Sequence, residues 1–266
     1  MKVLIFSGAG ISAESGIDTY RDEGGIWDKY DQNVVCTLPA AMQNRKETFA
    51  FFNDCLRHFE GAKPNAAHLA VARMQKSFGP ENVLVVTQNV DSLFEQAGCE
   101  EVLHLHGHMN GYLCLCCDSK WPREKDVFFN EDEPCPKCND SSMVKCDAVM
   151  FAEHAPAYAT LEGIRQQLSK DDVVISVGTS FQVVPPAYFV GDALVGSRSC
   201  VNINPDGSNY GGTFGQVIAD TAANALPGVL AQVSSMMMAA GVPAVKRGLS
   251  SSKVAQGGPA RSSLSM

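Results

Sequence analysis

Two Cys-x2-Cys elements constrain the fold of this chain more than any other feature of its sequence. They comprise Cys114 and Cys117, then Cys135 and Cys138, and 17 residues separate the two elements. This spacing is typical of four-cysteine zinc ribbons, in which each short turn brings two sulfurs to one tetrahedral ion. Because four thiolates leave no open coordination position, we expect these cysteines to hold one structural zinc ion rather than a catalytic one.

The length and composition favour an ordinary globular protein. A chain of 266 residues can form one large domain and a small one. Its net charge of −8 argues against a nucleic-acid-binding surface, because phosphate binding needs clustered lysine and arginine. The other six cysteines follow no disulfide pattern, and the first apolar run is too short for a signal peptide. We therefore expect a cytoplasmic protein with reduced thiols and neither a nucleic-acid nor a membrane partner.

Four short apolar runs predict buried strands, and each run ends in a small or polar loop. The runs are Val3–Phe6, Val83–Thr87, Val173–Val177 and Cys200–Asn204. Helical stretches between them predict an α/β fold with a doubly wound parallel sheet of the Rossmann type. Ligands bind outside the carboxyl ends of the strands in such sheets, so we expect the polar loops to meet at one crevice.

Two segments interrupt this pattern and define the predicted domains. An aromatic, helical-looking stretch over about residues 28–69 predicts a helical insertion, and residues 107–146 carry the zinc ribbon as a small inserted lobe. Residues 1–106 and 147–240 then form the sheet domain. Residues 241–266 are rich in Ser, Gly and Lys, and we expect a disordered tail there.

The loop after the first strand, Gly8-Ala9-Gly10, precedes a helix-forming stretch at Ile11–Gly16. A glycine-rich turn into a helix can bind a pyrophosphate at the helix N-terminus. Ala13 stands where the dinucleotide fingerprint has its third glycine, which disfavours an ordinary hydride-transferring dehydrogenase. From the residues alone, the loop is either a phosphate cradle or a plain turn.

Polar residues near the other strand ends are candidates for chemistry. His106 lies where the chain leaves the sheet for the ribbon, and a histidine there can act as a general base. His104 and His108 alternate with it, so in an extended segment all three share a face, and the pattern does not choose among them. Asn89 and Asp91 can both point into the crevice, or they can cap a helix.

These motifs occur together in one order that resembles a known family. The order is Gly8–Ile17, Tyr20-Arg21, Thr87–Asp91, His106-Gly107, the double Cys-x2-Cys, Gly178–Ser180 and Ile203-Asn204. Over about residues 1–233 the chain resembles the sirtuins, which are NAD-dependent protein deacylases. The resemblance implies a protein-lysine deacetylase that moves the acyl group from acetylated lysine, in proteins or peptides, to the ADP-ribose of NAD and releases nicotinamide.

The resemblance also implies roles for individual residues. His106 would be the general base, Asn89 would position the ribose or water, and Asp91 would hold the nicotinamide carboxamide. The other residues implied to contact NAD are Gly8, Ala9, Gly10, Ser12, Tyr20, Arg21, Gln88, Val90, Gly178, Thr179, Ser180, Asn204 and Ala222. The substrate backbone would pair with Val149, Phe151, Ala152 and Glu153, as an added strand.

Two departures from the family pattern concern the substrate. Ala152 stands where the family usually has glycine, so its methyl group is either tolerated or narrows the substrate groove. Phe52 and Cys55 stand where bacterial relatives that remove succinyl groups place Tyr and Arg. Without a cation to pair with an acyl carboxylate, we expect uncharged acyl groups, acetyl first. Arg57 is the nearest alternative cation in the sequence.

Two other functions share parts of this pattern. Protein mono-ADP-ribosylation or plain NAD hydrolysis would use the same nicotinamide-cleaving residues, so sequence separates them poorly from deacylation. A non-catalytic module that only binds NAD or depends on zinc would be expected to lack His106 or Asn89. Both residues are present.

Overall fold

The computed structural model describes residues 1–19, 29–124 and 126–245 of the chain. Nine strands lie within these residues: β1 (Val3–Ser7), β2 (Val83–Thr87), β3 (Leu103–His104), β4 (Gly107–Cys114), β5 (Lys120–Pro122), β6 (Val144–Ala148), β7 (Val173–Val177), β8 (Cys200–Ile203) and β9 (Gln216–Ile218). The helices are α1 (Gly10–Ala13), α2 (Gln32–Val35), α3 (Leu38–Gln43), α4 (Arg45–Phe59), α5 (Ala66–Phe78), α6 (Leu93–Ala97), α7 (Ala157–Gln167) and α8 (Ala222–Ala239).

The main sheet is parallel and is covered on both faces. Alternate residues of β1 enter two different cores: Val3 and Ile5 pack with α5 and α8, whereas Leu4 and Phe6 pack with α7 on the opposite face. Every residue of β1 and β7 is buried, as expected for strands with helices on both sides. The predicted doubly wound α/β fold is therefore confirmed.

The strand order creates a crevice at the centre of this sheet. The six strands lie in the order β3-β2-β1-β7-β8-β9. The chain moves outward from β1 to β2 and β3, and then returns to the other side of β1 to form β7, β8 and β9. A reversal of this kind opens a ligand-binding crevice between the carboxyl ends of the two central strands, here β1 and β7.

The loops that leave β1 and β7 touch through their backbones at this crevice. The Gly10 N–H donates to the Gly178 carbonyl at 2.9 Å, and Gly178 has a φ of +61°. A Cβ atom on Gly8 would lie 2.7 Å from the Gly178 oxygen, and one on Gly178 would overlap the Ile11 nitrogen. The two loops can approach this closely only because glycine occupies both sides of the contact.

The helical insertion and the zinc ribbon form one second lobe. Helices α2 to α4 and the antiparallel sheet β5-β4-β6 share a hydrophobic core that includes Phe49, Phe52 and Tyr112. The Arg45 guanidinium at the start of α4 donates to four carbonyls of the ribbon, those of Glu131, Ser141, Ser142 and Val144. Two segments that are separate in the sequence are therefore packed as a unit.

Some elements differ from the sequence-based expectations. The helix predicted over Ile11–Gly16 is a single turn, because Ser15 and Gly16 are weak helix formers. Helix α5 begins at Ala66, inside the range expected for the insertion, but packs with α8 against the main sheet. The ribbon sheet continues to Ala148, two residues past the expected lobe boundary.

The C-terminal end of the described chain is irregular. Residues 241–245 contain neither helix nor strand, and the rest of the predicted disordered tail, residues 246–266, lies outside the described residues. None of the helices in the described part of the chain has the length and apolar character to cross a bilayer.

The substitution Gly178→Ala is expected to destabilise the protein by about 3 kcal/mol, because it adds both left-handed backbone strain and a clash with the β1 loop. Gly98→Ala is the matched control, since Gly98 has a φ of +101° and a Cβ atom added there would have nothing within 4 Å. The control should lose only about 1 kcal/mol. Urea denaturation of both variants measures the difference, and equal losses would contradict the role assigned to the loop contact.

Candidate active site

A partly buried hydrogen-bond network joins the loops after β1 and β2. The Ser12 hydroxyl, in the helical turn that starts at Gly10, donates to the Asp91 Oδ2 at 2.9 Å and accepts from the Asn89 Nδ2 at 3.1 Å. The Leu93 N–H donates to the Asp91 Oδ1 at 3.0 Å. Three residues that the sequence suggested separately are thus held together at the carboxyl edge of the sheet.

Asp91 is the acidic group of this network. Burial raises the pKa of its carboxyl, and the bonds from the Leu93 N–H and the Ser12 hydroxyl only partly offset this effect. The side chain also bonds the first residue of α6, because its Oδ1 accepts the Leu93 N–H. One carboxylate oxygen of Asp91 therefore bonds the start of α6, while the other bonds Ser12 in the network.

A second set of bonds ties the loops after β2, β7 and β8. The Gln88 side-chain amide donates to the Thr179 hydroxyl at 2.9 Å. The Asn204 side-chain amide donates to the Thr179 carbonyl at 3.2 Å. The next residue, Ser180, accepts from the Tyr210 hydroxyl through its carbonyl at 3.1 Å. The polar loops of four parallel strands therefore meet at one crevice.

His106 has a defined tautomer. Its Nδ1 lies 2.9 Å from the Gln88 carbonyl, so Nδ1 carries the proton and Nε2 is the acceptor. The Tyr158 hydroxyl donates to that Nε2 at 3.0 Å. Burial lowers the pKa of His106 below its usual value, although the Gln88 carbonyl acts in the opposite direction. The imidazole is therefore neutral near pH 7, which is the form that can accept a proton.

His104 and His108 do not share the position of His106. Leu105 and His106 form a turn, so the segment is not extended and the three rings do not lie on one face. His104 donates from Nδ1 to the Asn89 carbonyl at 2.7 Å and from Nε2 to Glu95 at 2.8 Å. His108 packs against the His104 ring, with centroids 4.5 Å apart. The Tyr158 contact described above belongs to His106.

The groups around His104 raise the pKa of its ring. Burial lowers its pKa, but the bond to Glu95, the Glu95 charge and the Asn89 carbonyl together outweigh burial and raise the pKa above its usual value. Two acceptors on opposite ring nitrogens favour the doubly protonated ring. His104 therefore fixes the backbone of Asn89 rather than offering a base to the crevice.

Of the remaining predicted NAD contacts, the structure describes Val90, Ala9 and Ala222. Val90 accepts the Met109 N–H through its carbonyl at 3.1 Å, which joins the β2 loop to the second lobe. Ala9 lies between the two loop glycines, and Ala222 is the first residue of α8. Tyr20 and Arg21 lie outside the described residues.

Two side-chain contacts near the crevice had no signal in the sequence. The Glu14 carboxylate accepts the Thr221 hydroxyl at 2.9 Å and the Ala223 N–H at 2.7 Å, so it caps the N-terminus of α8. More than 200 residues separate Glu14 from this helix, and a local capping pattern could not reveal it. Tyr158 is equally hidden, because a tyrosine in the first turn of α7 resembles an ordinary packing residue.

The predicted substrate segment connects the second lobe to α7. The Val149 N–H donates to the His106 carbonyl at 2.8 Å. Phe151 pairs with the insertion, since its N–H donates to the Cys36 carbonyl at 2.7 Å and its carbonyl accepts the Leu38 N–H at 3.2 Å. The segment thus lies between the candidate base and the helical insertion.

Ala152 and Glu153 form a constrained bend at the end of this segment. Ala152 is exposed and has a φ of +62°, a left-handed conformation in which glycine costs less than alanine. The Glu153 carboxylate turns inward, accepting the Met150 N–H at 2.8 Å and pairing at 3.2 Å with the buried Lys145 ammonium. The two interactions of Glu153 stabilise the bend, although alanine rather than glycine adopts the left-handed conformation there.

The insertion helix offers no cation at the two positions singled out in the sequence. Phe52 and Cys55 are 5 % and 6 % exposed and lie in the core of the second lobe. Arg57 pairs with Asp54 on the same helix, and its guanidinium carbon lies 4.5 Å from the centre of the Phe128 ring. The nearest alternative cation therefore already has two partners.

The four ribbon cysteines converge as a zinc site requires. Cys114 and Cys138 have Sγ atoms 3.6 Å apart, and those of Cys117 and Cys135 are 3.5 Å apart. Zn–S bonds of about 2.3 Å in a tetrahedron would place the sulfurs about 3.8 Å apart. All four sulfurs lie within 4.8 Å of one another, so the residues fit one structural zinc ion.

Zinc should be lost from Cys135→Ser together with thermal stability, because three remaining thiolates leave the ion incompletely bound. Cys116→Ser is the matched control, since Cys116 is exposed and lies outside the four-sulfur cluster. Metal content and melting temperature are measured on both purified variants. Full zinc occupancy in Cys135→Ser would contradict the four-thiolate assignment.

Comparisons with known proteins agree with this architecture. The model of the Sir2 family matches residues 8–185. An NAD-dependent protein deacylase of Campylobacter jejuni strain RM1221 is 35% identical over 235 residues, which cover 88% of this chain and 97% of the relative. An NAD-dependent protein deacylase of Caulobacter vibrioides is 35% identical over 231 residues, covering 85% and 94%.

Solved structures give the same assignment. A Sir2 homolog–NAD complex superposes with a TM-score of 0.73 at 25% identity, covering 88% of this chain and 90% of that one. An ADP-ribose complex of a mutant Sir2 homologue gives a TM-score of 0.74 at 25% identity, covering 89% and 93%. The resemblance found in the motifs is confirmed, and this chain belongs to the Sir2 family, the sirtuins.

Proposed function

We propose that the protein is an NAD-dependent protein-lysine deacylase that acts first on acetyl groups. The observation that carries the proposal is the pairing of two partly buried groups at one crevice. One is the Ser12–Asn89–Asp91 network, and the other is a neutral His106 whose Nδ1 is held by the Gln88 carbonyl. Relatives named NAD-dependent protein deacylase and a related structure with bound NAD support the choice of reaction and co-substrate.

The network suits the recognition of the nicotinamide end of NAD. Asp91 is a buried carboxylate whose pKa is raised by burial, so an amide N–H donor would stabilise its charged form. The carboxamide of nicotinamide supplies such a donor. Asn89 is held at its backbone by His104 and at its side chain by Ser12, so it can present a fixed polar group to the adjoining ribose or to water.

His106 suits the role of general base. With its proton on Nδ1, the ring can accept a proton from a ribose hydroxyl at Nε2, and the Gln88 carbonyl then stabilises the resulting cation. General-base catalysis of this kind contributes about 10²–10⁴-fold to the rate. NAD supplies the leaving nicotinamide and the ADP-ribose that receives the acyl group.

The substrate is proposed to be an acyl-lysine in a protein or peptide. The segment Val149–Glu153 supports this, because it runs beside the His106 backbone and has an exposed Phe151 side chain. None of the ten cysteines is in a disulfide, and four of them fit a zinc ion, which supports action in the reducing environment of the cytoplasm.

An acetyl-lysine peptide incubated with the purified protein is expected to lose its acetyl group only when NAD is present, with formation of acetyl-ADP-ribose. His106→Ala should lower the rate at least about 100-fold, by loss of the general base. Mass spectrometry of peptide and nucleotide measures both. Nicotinamide release from an unchanged peptide would instead indicate ADP-ribosyl transfer or NAD hydrolysis at the same site.

Uncharged acyl groups should be removed faster than charged ones, because Phe52, Cys55 and Arg57 provide no free cation to bind an acyl carboxylate. A missing charge-assisted hydrogen bond predicts a kcat/KM for succinyl-lysine about 10- to 100-fold below that for acetyl-lysine. Butyryl-lysine is the matched control, since it has the same carbon number as succinyl-lysine without the carboxylate. Faster removal of succinyl than of both uncharged groups would refute this selectivity.

A further inference from the structure

The acceptor nitrogen of His106 is already hydrogen-bonded by a side chain that the mechanism above does not use. Because Nδ1 donates to the Gln88 carbonyl, the ring has a single acceptor lone pair, at Nε2. The Tyr158 hydroxyl donates into that lone pair at 3.0 Å. This is the atom that would have to receive the proton of a ribose hydroxyl.

The surroundings of Tyr158 hold it in this position. It lies in the first turn of α7 and is partly buried. Its ring meets the Tyr188 ring edge-on, with centroids 6.0 Å apart, and lies 6.2 Å from the imidazole of His106. Burial raises the pKa of Tyr158, so the phenol stays protonated at neutral pH and remains a donor.

A phenol and a ribose hydroxyl cannot both donate to one lone pair. The incoming hydroxyl must therefore replace Tyr158 before His106 can accept its proton. The contact also selects the state of the base, because a hydrogen bond donated to Nε2 stabilises the neutral ring over the cation. Among the described residues, burial and the Gln88 carbonyl are the two causes that shift the pKa of His106.

We propose that Tyr158 is a positioning residue that caps the Nε2 atom of His106 in the free protein and competes with the co-substrate ribose for it. The identity of the competing hydroxyl rests on the proposed function, whereas the cap itself rests on the contact. The segment Val149–Glu153 ends shortly before α7 begins, so the proposed substrate-binding segment and Tyr158 are close together in the sequence.

Tyr158→Phe tests the cap, because it keeps the ring and removes only the hydroxyl. Tyr188→Phe is the matched control, because it removes the hydroxyl of the tyrosine that packs against Tyr158. Tyr188 is half-exposed and makes no hydrogen bond to His106 among the described residues. Two readouts need no catalysis. They are the pKa of His106, from NMR of the free protein, and the affinity for ADP-ribose, from calorimetry.

The proposal predicts in which direction the pKa of His106 and the affinity for ADP-ribose change in Tyr158→Phe. Loss of a bond to the neutral ring should raise the pKa of His106, so the acid limb of kcat/KM should move to higher pH. Loss of the competitor should tighten ADP-ribose binding roughly two- to tenfold, which is the range of one net hydrogen bond. Tyr188→Phe should behave as the unmodified protein in both readouts.

Other outcomes would overturn the cap. These are an unchanged pKa of His106, weaker ADP-ribose binding in Tyr158→Phe, or equal effects in Tyr188→Phe. The proposed function fails separately, if the unmodified protein does not remove acyl groups with NAD. In that case a raised His106 pKa and tighter ADP-ribose binding in Tyr158→Phe would still support the cap.

Discussion

The backbone contact between the Gly8–Gly10 loop and Gly178 sets the geometry on which the rest of the site depends. It brings together the carboxyl ends of β1 and β7, the two strands at which the sheet reverses its order. Ser12 reaches Asn89 and Asp91 because α1 starts directly at this contact. Gln88 reaches Thr179 for the same reason, since Thr179 follows Gly178. A wider separation of these loops would break both sets of hydrogen bonds.

Burial acts in opposite directions on the two ionisable groups of the site, and both effects suit the proposed reaction. It raises the pKa of Asp91 and lowers that of His106, because in each case it disfavours the charged form. Asp91 therefore gains most from a ligand that supplies donors or positive charge, as the nicotinamide end of NAD does. His106 remains neutral until a proton is transferred to it. The pKa of His104, two residues earlier, is raised instead, because its ring bonds to Glu95 and to the Asn89 carbonyl.

The sequence predicted those features that depend on residues close together in the chain. Two strands, β2 and β7, have the predicted bounds, because continuous apolar runs mark strands covered on both faces. The four cysteines and the polar ends of the strands were found in the same way. Sequence could not show that Arg45 joins the insertion to the ribbon, or that Glu14 caps α8, because these contacts cross about 90 to 200 residues of chain.

The local backbone conformation was the second feature that the sequence could not predict. The alternation of His104, His106 and His108 predicts one shared face only if the backbone is extended, and the turn at Leu105 and His106 removes that condition. Tyr158 reaches Nε2 of His106 only because this turn directs the ring toward α7. A pattern of residue types cannot reveal such a turn when the glycine that follows it, Gly107, has several structural uses.

The zinc ribbon affects the site through the strands that leave it. Strands β4 and β6 pair from Cys114 and Val144, beside the four cysteines, to Gly107 and Ala148 at the opposite end. The residue before β4 is His106 and the residue after β6 is Val149, and a hydrogen bond of 2.8 Å joins their backbones. The ladder, which is irregular between Gly107 and Tyr112, therefore links the cysteine cluster at one end to the candidate base and the candidate substrate segment at the other. The four cysteines fit a structural zinc ion, so any effect of the metal on the candidate site would pass through these strands.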